Sequence, residues 1–266
     1  MTPEEIATAA RDLEAADRNR QLMGALTLRH PGMTLDDAYK VQHAWVAMKL
    51  EAGRTLIGHK IGLTSKAMQN AVNIDIPDSG SLLDDMLYPD GGRIPTDRFI
   101  APRIEVELAF VLKSPLSGPA CTLLDVMRAT EFVMPALEIL DSRMHRIDPE
   151  TKVTRKVQDT IADNAANAGI VLGSRPFDPK GVDLRWISAL LYRDGEIEET
   201  GVAAGVLNNP ATGIAWLANR LHGHGESLQP GQVILSGSFT RPIEARAGHT
   251  IFADYGPFGS VGCHFC

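Results

Sequence analysis

Two glutamates near the middle of the chain occur at a spacing that predicts shared chemistry. Residues 104–112 alternate in the manner of a β-strand, in which successive side chains point to opposite faces. The apolar face is formed by Ile104, Val106, Leu108 and Phe110. Glu105 and Glu107 fall on the other face, about 6.6 Å apart at their Cα atoms. Two carboxylates held this close repel unless a cation or a proton separates them.

A third glutamate, Glu138, interrupts the apolar run FVMPALEIL at residues 132–140. An isolated carboxylate inside an apolar strand is costly unless it has a partner. No pattern of cysteine or histidine ligands accompanies the three glutamates, and oxygen-only ligation favours Mg²⁺ or Mn²⁺ over Zn²⁺. The alternative is structural: Glu105 and Glu107 mark a solvated strand face, and Glu138 pairs with a buried arginine.

An N-terminal helical segment precedes these strands. Thr2, Pro3 and Glu5 form the pattern of a capping box, and the helix that they open is predicted to run to about Leu28. A second start follows at Thr34, with apolar residues at helical spacing up to a stop at Gly53. We therefore predict an α+β protein with a helical segment over residues 1–55 and a strand-rich catalytic domain over 56–266, or one compact unit made of both.

Several further elements can be read from the strand-rich part. The run at 132–140 reads as a strand, which Pro135 moves to a sheet edge or a bulge. Residues 186–200 form a predicted hairpin around Asp194-Gly195, and residues 210–221 a helix after Asn209. Three short strands are predicted in the tail. The polar, aperiodic stretch 141–167 is either a lid over a site or a solvated surface loop with a buried helical turn.

Composition narrows the class of protein. The 266 residues carry a net charge of −7 with charges interspersed, which argues against a nucleic-acid partner. The N-terminus lacks the pattern of a signal peptide, and no apolar run is long enough to span a membrane. The cysteines are Cys121, Cys263 and Cys266, a sparse and odd set that indicates a reducing cytoplasm. The sequence predicts a cytoplasmic protein that binds a small molecule.

Four stretches together resemble the hydratase and decarboxylase branch of the fumarylacetoacetate hydrolase superfamily. They are GHKIGLTS at 58–65, Pro77-Asp78, PRIEVE at 102–107 and PALE at 135–138. Three more resemble, within that branch, a hydratase of a seven-carbon 2-oxo dicarboxylate. They are IPTDRF at 94–99, IADNAANAG at 161–169 and ETGVAAGVLN at 199–208. The likeness covers nearly the whole chain.

The resemblance implies a mixed-sheet β-roll after the helical segment. It implies Mg²⁺, with Mn²⁺ as a substitute, held by Glu105, Glu107 and Glu138. It implies Lys60 and Asp78 as the acid and base, in either order, and a homo-oligomer such as a decamer. Structural alternatives stay open for both proton-transfer residues. Lys60 would instead pair with a glutamate ligand, and Asp78 would be a turn residue in the sequence Pro-Asp-Ser-Gly.

The implied activity is the hydration of an unsaturated seven-carbon 2-oxo dicarboxylate during meta-cleavage breakdown of homoprotocatechuate. Alternatives are a hydratase of the five-carbon dienoate, a 4-oxalocrotonate-type decarboxylase, and a non-catalytic partner subunit. Asn167 and Thr240 are candidate substrate contacts. The far carboxylate needs a cationic partner, for which we select Arg143 and Arg155 in the stretch 141–167, because the arginine fork matches both oxygens.

Overall fold

The computed structural model describes residues 1–71 and 76–266, within which the chain forms seven α-helices and thirteen β-strands. The helices are α1 (Pro3–Asn19), α2 (Leu26–Arg29), α3 (Leu35–Glu51), α4 (Lys66–Ala71), α5 (Leu123–Ala129), α6 (Val157–Ala162) and α7 (Pro210–His222). The strands are β1 (Leu56–Gly62), β2 (Asp78–Leu83), β3 (Leu87–Tyr88), β4 (Gly92–Ile94), β5 (Arg103–Leu112), β6 (Thr130–Leu140), β7 (Asn167–Leu172), β8 (Ser188–Arg193), β9 (Glu196–Val202), β10 (Val233–Leu235), β11 (Ile243–Glu244), β12 (Thr250–Asp254) and β13 (Ser260–Phe265).

The N-terminal helices begin where the sequence predicts. Thr2 and Glu5 form the capping box of α1, and Thr34 caps α3 in the same way. The predicted continuation of α1 to Leu28 is wrong, because the helix ends at Asn19 and Arg20 adopts a left-handed conformation. The chain beyond it pairs with a distant segment instead: the Met23 amide donates to the Arg143 carbonyl. A tertiary contact thus overrides the local helical pattern.

Two mixed sheets form the rest of the molecule. The larger has eight strands in the order β2-β1-β10-β5-β6-β7-β3, with β11 paired to β5; the smaller has the order β4-β13-β12-β8-β9. Parallel pairs are β1 with β10, β3 with β7, and β4 with β13. The predicted α+β class, with a helical segment before a mixed-sheet β-roll, is confirmed. The predicted boundary at residue 55 stays a prediction.

Two predictions about strands have different outcomes. The hairpin is confirmed: β8 and β9 are joined by Asp194 and Gly195, both with positive φ, as a tight two-residue turn requires. The edge position expected from Pro135 is wrong, because β6 lies between β5 and β7 in the interior of the larger sheet. Pro135 faces Leu108 across β5, and its carbonyl accepts from the Gly173 amide.

The stretch 141–167 is only partly a loop. Residues 157–162 form α6, and Ile161 and Ala162 pack into one apolar cluster with α1 and α3. The main core lies elsewhere, among the strands of both sheets and helices α5 and α7. The lid prediction is therefore unsupported for residues 157–167, which are packed beneath the N-terminal helices, while residues 149–154 are exposed. Among the helices described, none has both the length and the apolar character needed to cross a membrane.

Candidate active site

The three glutamates converge on one face of the larger sheet. The register pairs Glu105 with Glu138 across β5 and β6, and Glu107 follows two residues along the same face. One carboxylate oxygen of each lies within 4.8 Å of the others. Glu107 and Glu138 are fully buried, and Glu105 is half-buried. Alternation along β5 predicted that Glu105 and Glu107 share a face, and the pairing of β5 with β6 adds Glu138 to them.

Burial makes this concentration of negative charge costly. Desolvation and the neighbouring Glu138 raise the pKa of Glu105 to about 8. The same two causes hold the pKa of Glu107 well above its usual range. A divalent cation among these oxygens would oppose both shifts, because opposite charge favours the ionised carboxylate.

The hydrogen bonding at this cluster fits a hard cation. Among the described residues, neither carboxylate oxygen of Glu138 has a hydrogen-bond partner. Glu107 is held from one side, since its Oε2 accepts from the Gly237 amide at 2.6 Å. The donor set is thus all oxygen and largely buried, and Glu138 has an ion pair with Lys60 but accepts no hydrogen bond from the described residues. Such a set suits Mg²⁺ or Mn²⁺.

A tight loop after β10 positions Glu107. Gly237 has φ +117, and a Cβ built on it would lie 2.4 Å from Oγ1 of Thr64. Only glycine allows the backbone to approach both Thr64 and the Glu107 carboxylate here. In the same loop, Thr240 Oγ1 accepts from the amide of Val106, the residue between Glu105 and Glu107. Thr240 therefore lies beside the strand that carries Glu105 and Glu107, and its role as a substrate contact stays a prediction.

Lys60 lies on the same face of the sheet, on β1. Its Nζ is 3.2 Å from Oε1 of Glu138 and donates to the Ala165 carbonyl at 3.1 Å. Side chains stand roughly perpendicular to a sheet, so this contact between β1 and β6 requires the sheet to curl. The salt bridge considered as an alternative for Lys60 is thus present. A salt bridge of this kind is compatible with a role in proton transfer as well.

The charged protein groups around Lys60 raise the pKa of its ammonium group. Burial lowers it, but the charges of Glu138 and Asp78 outweigh burial. Lys60 is an ammonium group under the influence of the protein groups alone.

Asp78 is a neighbour of Lys60 rather than a turn residue. It begins β2, pairs with Gly62 and is buried. A Cβ on Gly62 would lie 2.3 Å from Asp78 Oδ1 and 3.2 Å from Lys60 Nζ, so glycine leaves room for both groups. Burial raises the pKa of Asp78, and Lys60 partly opposes that rise. The turn alternative for Asp78 is wrong.

A left-handed turn over Asn164, Ala165 and Ala166 presents the carbonyl that Lys60 contacts. All three residues have φ between 52° and 58°. Residues other than glycine rarely adopt this conformation, and such strain concentrates at functional sites. Asn164 fastens the turn to β2, since its side chain bonds both the amide and the carbonyl of Ser81.

Asn167 follows this turn at the start of β7. Its Nδ2 donates to the Ser81 carbonyl at 3.0 Å, and its buried Oδ1 has no partner among the described residues. It is the register partner of Leu140, two residues beyond Glu138 on β6. Its position suits a substrate contact, which stays a prediction.

Arg143 and Arg155 belong to a buried polar network beneath the N-terminal helices. Arg143 Nε donates to Asp163 Oδ1 at 2.5 Å, and its other nitrogens donate to the carbonyls of Asp163 and Asn167. Its guanidinium also stacks on Trp45, 4.9 Å from the ring centroid. Arg155 donates to Ser142 Oγ and to the Met144 carbonyl. These contacts fix both arginines within the fold, so their role as substrate contacts stays a prediction without support from this geometry.

Two further residues support the site without having been identified from the sequence. Tyr255 is fully buried, and its hydroxyl lies 2.7 Å from the Glu107 carbonyl and 2.8 Å from the Ala136 carbonyl, so that its single proton is shared between β5 and β6. Gln42 on α3 donates to the Ser79 and Ile161 carbonyls, both at 2.8 Å, and so ties the N-terminal helices to the start of β2. No local pattern distinguishes either residue, because their partners are distant in sequence.

No protein-family model matches the chain. Several individual proteins, however, are similar to it over nearly their whole length. The structure of 4-oxalocrotonate decarboxylase from Pseudomonas putida G7, complexed with magnesium and adipate, superimposes with a TM-score of 0.94, at 34% identity over 100% of this chain and 99% of that chain. The 2-keto-4-pentenoate hydratase of Paraburkholderia xenovorans (strain LB400) is 36% identical over 100% of this chain and 96% of its own.

The chain therefore belongs to the hydratase and decarboxylase branch of the fumarylacetoacetate hydrolase superfamily, and it is an enzyme. Within that branch it is similar to the 2-oxo-hept-4-ene-1,7-dioate hydratase of Escherichia coli. The two are 61% identical over 256 residues, which is 96% of each chain.

Proposed function

We propose that the protein is a Mg²⁺-dependent hydratase that adds water to 2-oxo-hept-4-ene-1,7-dioate to give 4-hydroxy-2-oxoheptanedioate. The observation that carries this proposal is the buried cluster of Glu105, Glu107 and Glu138 with Lys60 at its edge. The likeness to the Escherichia coli hydratase, 61% over nearly all of both chains, supports the choice of reaction and substrate. The reaction would belong to meta-cleavage breakdown of homoprotocatechuate.

Glu105, Glu107 and Glu138 would hold the metal, with Mn²⁺ as a substitute. The related decarboxylase structure contains magnesium. When bound, the ion supplies Lewis acidity that stabilises negative charge developing on the 2-oxo acid. The Gly237 amide contributes by fixing one oxygen of Glu107 while its other oxygen stays available.

Lys60 and Asp78 would move the protons. The reaction removes a proton from carbon 3, delivers one to carbon 5 as the double bond shifts, and adds water at carbon 4. The two side chains approach each other beside Gly62, which places an acid and a base within one small space. The Ala165 carbonyl and Glu138 orient the Lys60 ammonium. The proton taken from carbon 3 balances the one given to carbon 5, and the proton released by the added water returns to carbon 3 of the product. Lys60 and Asp78 would serve as the acid and the base, in either order.

Asn167 and Thr240 are the proposed substrate contacts nearest the cluster. Thr240 Oγ1 is held beside the glutamates by the Val106 amide and retains a hydroxyl proton to donate. Asn167 offers its unpartnered Oδ1 from β7. Arg143 and Arg155 are weaker candidates for substrate contacts, because their N–H donors already have partners within the fold.

The decisive experiment offers purified protein with Mg²⁺ three acids: the seven-carbon dicarboxylate, the five-carbon dienoate and 4-oxalocrotonate. Products are identified by mass. We expect a product one water heavier, with the highest kcat/KM for the seven-carbon acid. A product lighter by one carbon dioxide would assign the protein to the decarboxylases instead. Preference for the five-carbon acid would assign it to the pentenoate hydratases. Absence of turnover on all three would contradict the proposal.

We also propose that the protein is a cytoplasmic homo-oligomer, a decamer being the assembly that the family resemblance implies. Ile197 and Phe252 lie exposed on either side of Tyr192 on the outer face of the smaller sheet, where a second copy would cover them. Cys121, Cys263 and Cys266 are free thiols, which suits a reducing compartment. Light scattering after size-exclusion chromatography measures the mass directly, and a monomeric mass would contradict the assembly.

A further inference from the structure

The candidate active site opens at one end of β5. Glu107 is 1% exposed, Glu105 is half-buried, and the side chain of Arg103 is 43% exposed. The neighbouring β6 shows the same gradient, from the fully buried Glu138 to the half-buried Leu140. Exposure thus rises from Glu107 through Glu105 to Arg103, which makes this end of β5 the side from which substrate would enter.

Arg103 stands at this entrance on the same face as the glutamates. Strand alternation places it two residues before Glu105, and the register places it opposite Leu140. The two carboxyl carbons of an extended seven-carbon diacid are about 7.5 Å apart, close to the rise of two strand residues at about 6.6 Å. A diacid with its oxo-acid end at the glutamate cluster thus extends its far end toward Arg103, with Leu140 beside its carbon chain.

The guanidinium of Arg103 is held weakly by its ion-pair partner. Among the described residues its one ion pair is with Glu244, at 4.0 Å between exposed side chains. Glu244 makes a shorter pair, 2.6 Å, with Arg246. Exposed pairs of this kind contribute little, so an incoming carboxylate can displace Glu244. Arg143, by contrast, is buried and held by Asp163.

We propose that Arg103 binds the far carboxylate of the dicarboxylic substrate and so selects it over shorter monocarboxylic acids. This inference rests on the proposed function for the identity of the substrate. The planar fork of arginine pairs with both oxygens of a carboxylate, and the apolar Leu140 on the neighbouring strand lines the path of the connecting carbons.

The test compares wild type with Arg103→Met and Arg103→Lys. A control is Arg128→Met, which removes an arginine on α5 that is more exposed, at 78% against 43%, and that also has a loose carboxylate partner, Asp125. Specificity constants are measured for the seven-carbon dicarboxylate and the five-carbon dienoate. Binding of adipate and of hexanoate is measured by calorimetry with Mg²⁺ present, and Mg²⁺ binding is measured alone.

We expect Arg103→Met to lose about 10- to 150-fold in kcat/KM for the dicarboxylate and in adipate affinity, the scale of a charge-assisted contact. The kcat/KM for the dienoate and the affinity for hexanoate should stay within about threefold of wild type, since neither acid has a far carboxylate that could contact Arg103. Arg103→Lys should fall between, and Arg128→Met should match wild type. Mg²⁺ affinity should be unchanged or higher in Arg103→Met, because a nearby positive charge has been removed.

Equal losses on both substrates, or weaker Mg²⁺ binding, would show that Arg103 supports the cluster rather than the far carboxylate and would overturn the proposal. So would a dicarboxylate preference that survives in Arg103→Met but disappears in Arg155→Ala. If wild type hydrates none of the acids, the proposed function fails. The adipate and hexanoate measurements still decide the role of Arg103 in that case.

Discussion

The ammonium of Lys60 lies 3.2 Å from Oε1 of Glu138, and both side chains are buried. Glu138 also faces Glu105 across the strand pair, so a single lysine stands among several carboxylates. Negative charge therefore exceeds positive charge among the protein groups of the site. Each of the first two predictions below follows from that imbalance.

Glu107→Gln should abolish turnover and weaken Mg²⁺ binding while the fold survives. Glutamine keeps an acceptor for the Gly237 amide but removes one of three mutually repelling charges. We expect Mg²⁺ affinity to fall by more than about 10-fold, the lower range for loss of an outer-shell partner. The free energy of unfolding without metal should be unchanged or higher. Calorimetry that finds unchanged Mg²⁺ affinity would remove Glu107 from the metal site.

Lys60→Met should reduce turnover by about 10²-fold or more, the usual contribution of a proton-transfer group. It also leaves Glu138 without its counter-ion, which costs up to about 3–5 kcal/mol of unfolding free energy without metal. Mg²⁺ should restore much of that stability by binding the folded state. Thermal unfolding with and without Mg²⁺, beside the exposed control Lys40→Met, measures both effects. Normal turnover would leave Lys60 with a structural role only.

Gly237→Ala should destabilise the fold by about 3 kcal/mol, from an unfavourable backbone conformation and overpacking against Thr64. Mg²⁺ binding should weaken as well, because the loop can no longer hold Glu107. Gly205→Ala is the control, since a Cβ there meets nothing within 4 Å. Urea unfolding of the two variants is the measurement, and equal stabilities would show that the loop adapts without strain.

Arg143→Ala should cost about 3–5 kcal/mol of unfolding free energy, because it leaves Asp163 buried without its partner. Arg128→Ala, at an exposed position, should stay within about 0.5 kcal/mol of wild type. Denaturant unfolding gives both values. A loss below about 1 kcal/mol would mean that Arg143 is free to serve substrate, as the sequence suggested.

His59 should make the protein sensitive to mild acid. Burial, aided by the charge of His43, lowers the pKa of His59 to about 4, below its unfolded value of about 6.5. The unfolded state therefore binds the proton first, and stability is lost as the pH falls from about 6.5 toward 4. The loss between pH 7 and pH 5 should be about 2 kcal/mol. His59→Gln should remove it, and an identical pH dependence in that variant would assign the effect to other groups.

The sequence by itself determined the local elements and the types of ligand. The alternation around Glu105 and Glu107, the capping boxes at Thr2 and Thr34, and the turn at Asp194 are all encoded within a few residues, so their geometry follows from local sterics and hydrogen bonding.

Only the tertiary structure decided which of these residues meet. Strand register brings Glu138 opposite Glu105, and curling of the sheet brings Lys60 to Glu138. Tertiary contacts also end α1 at Asn19 and pair the Arg143 guanidinium with the Asp163 carboxylate. Such contacts join residues far apart in the chain, and their free energies depend on burial and register that no short stretch of sequence contains.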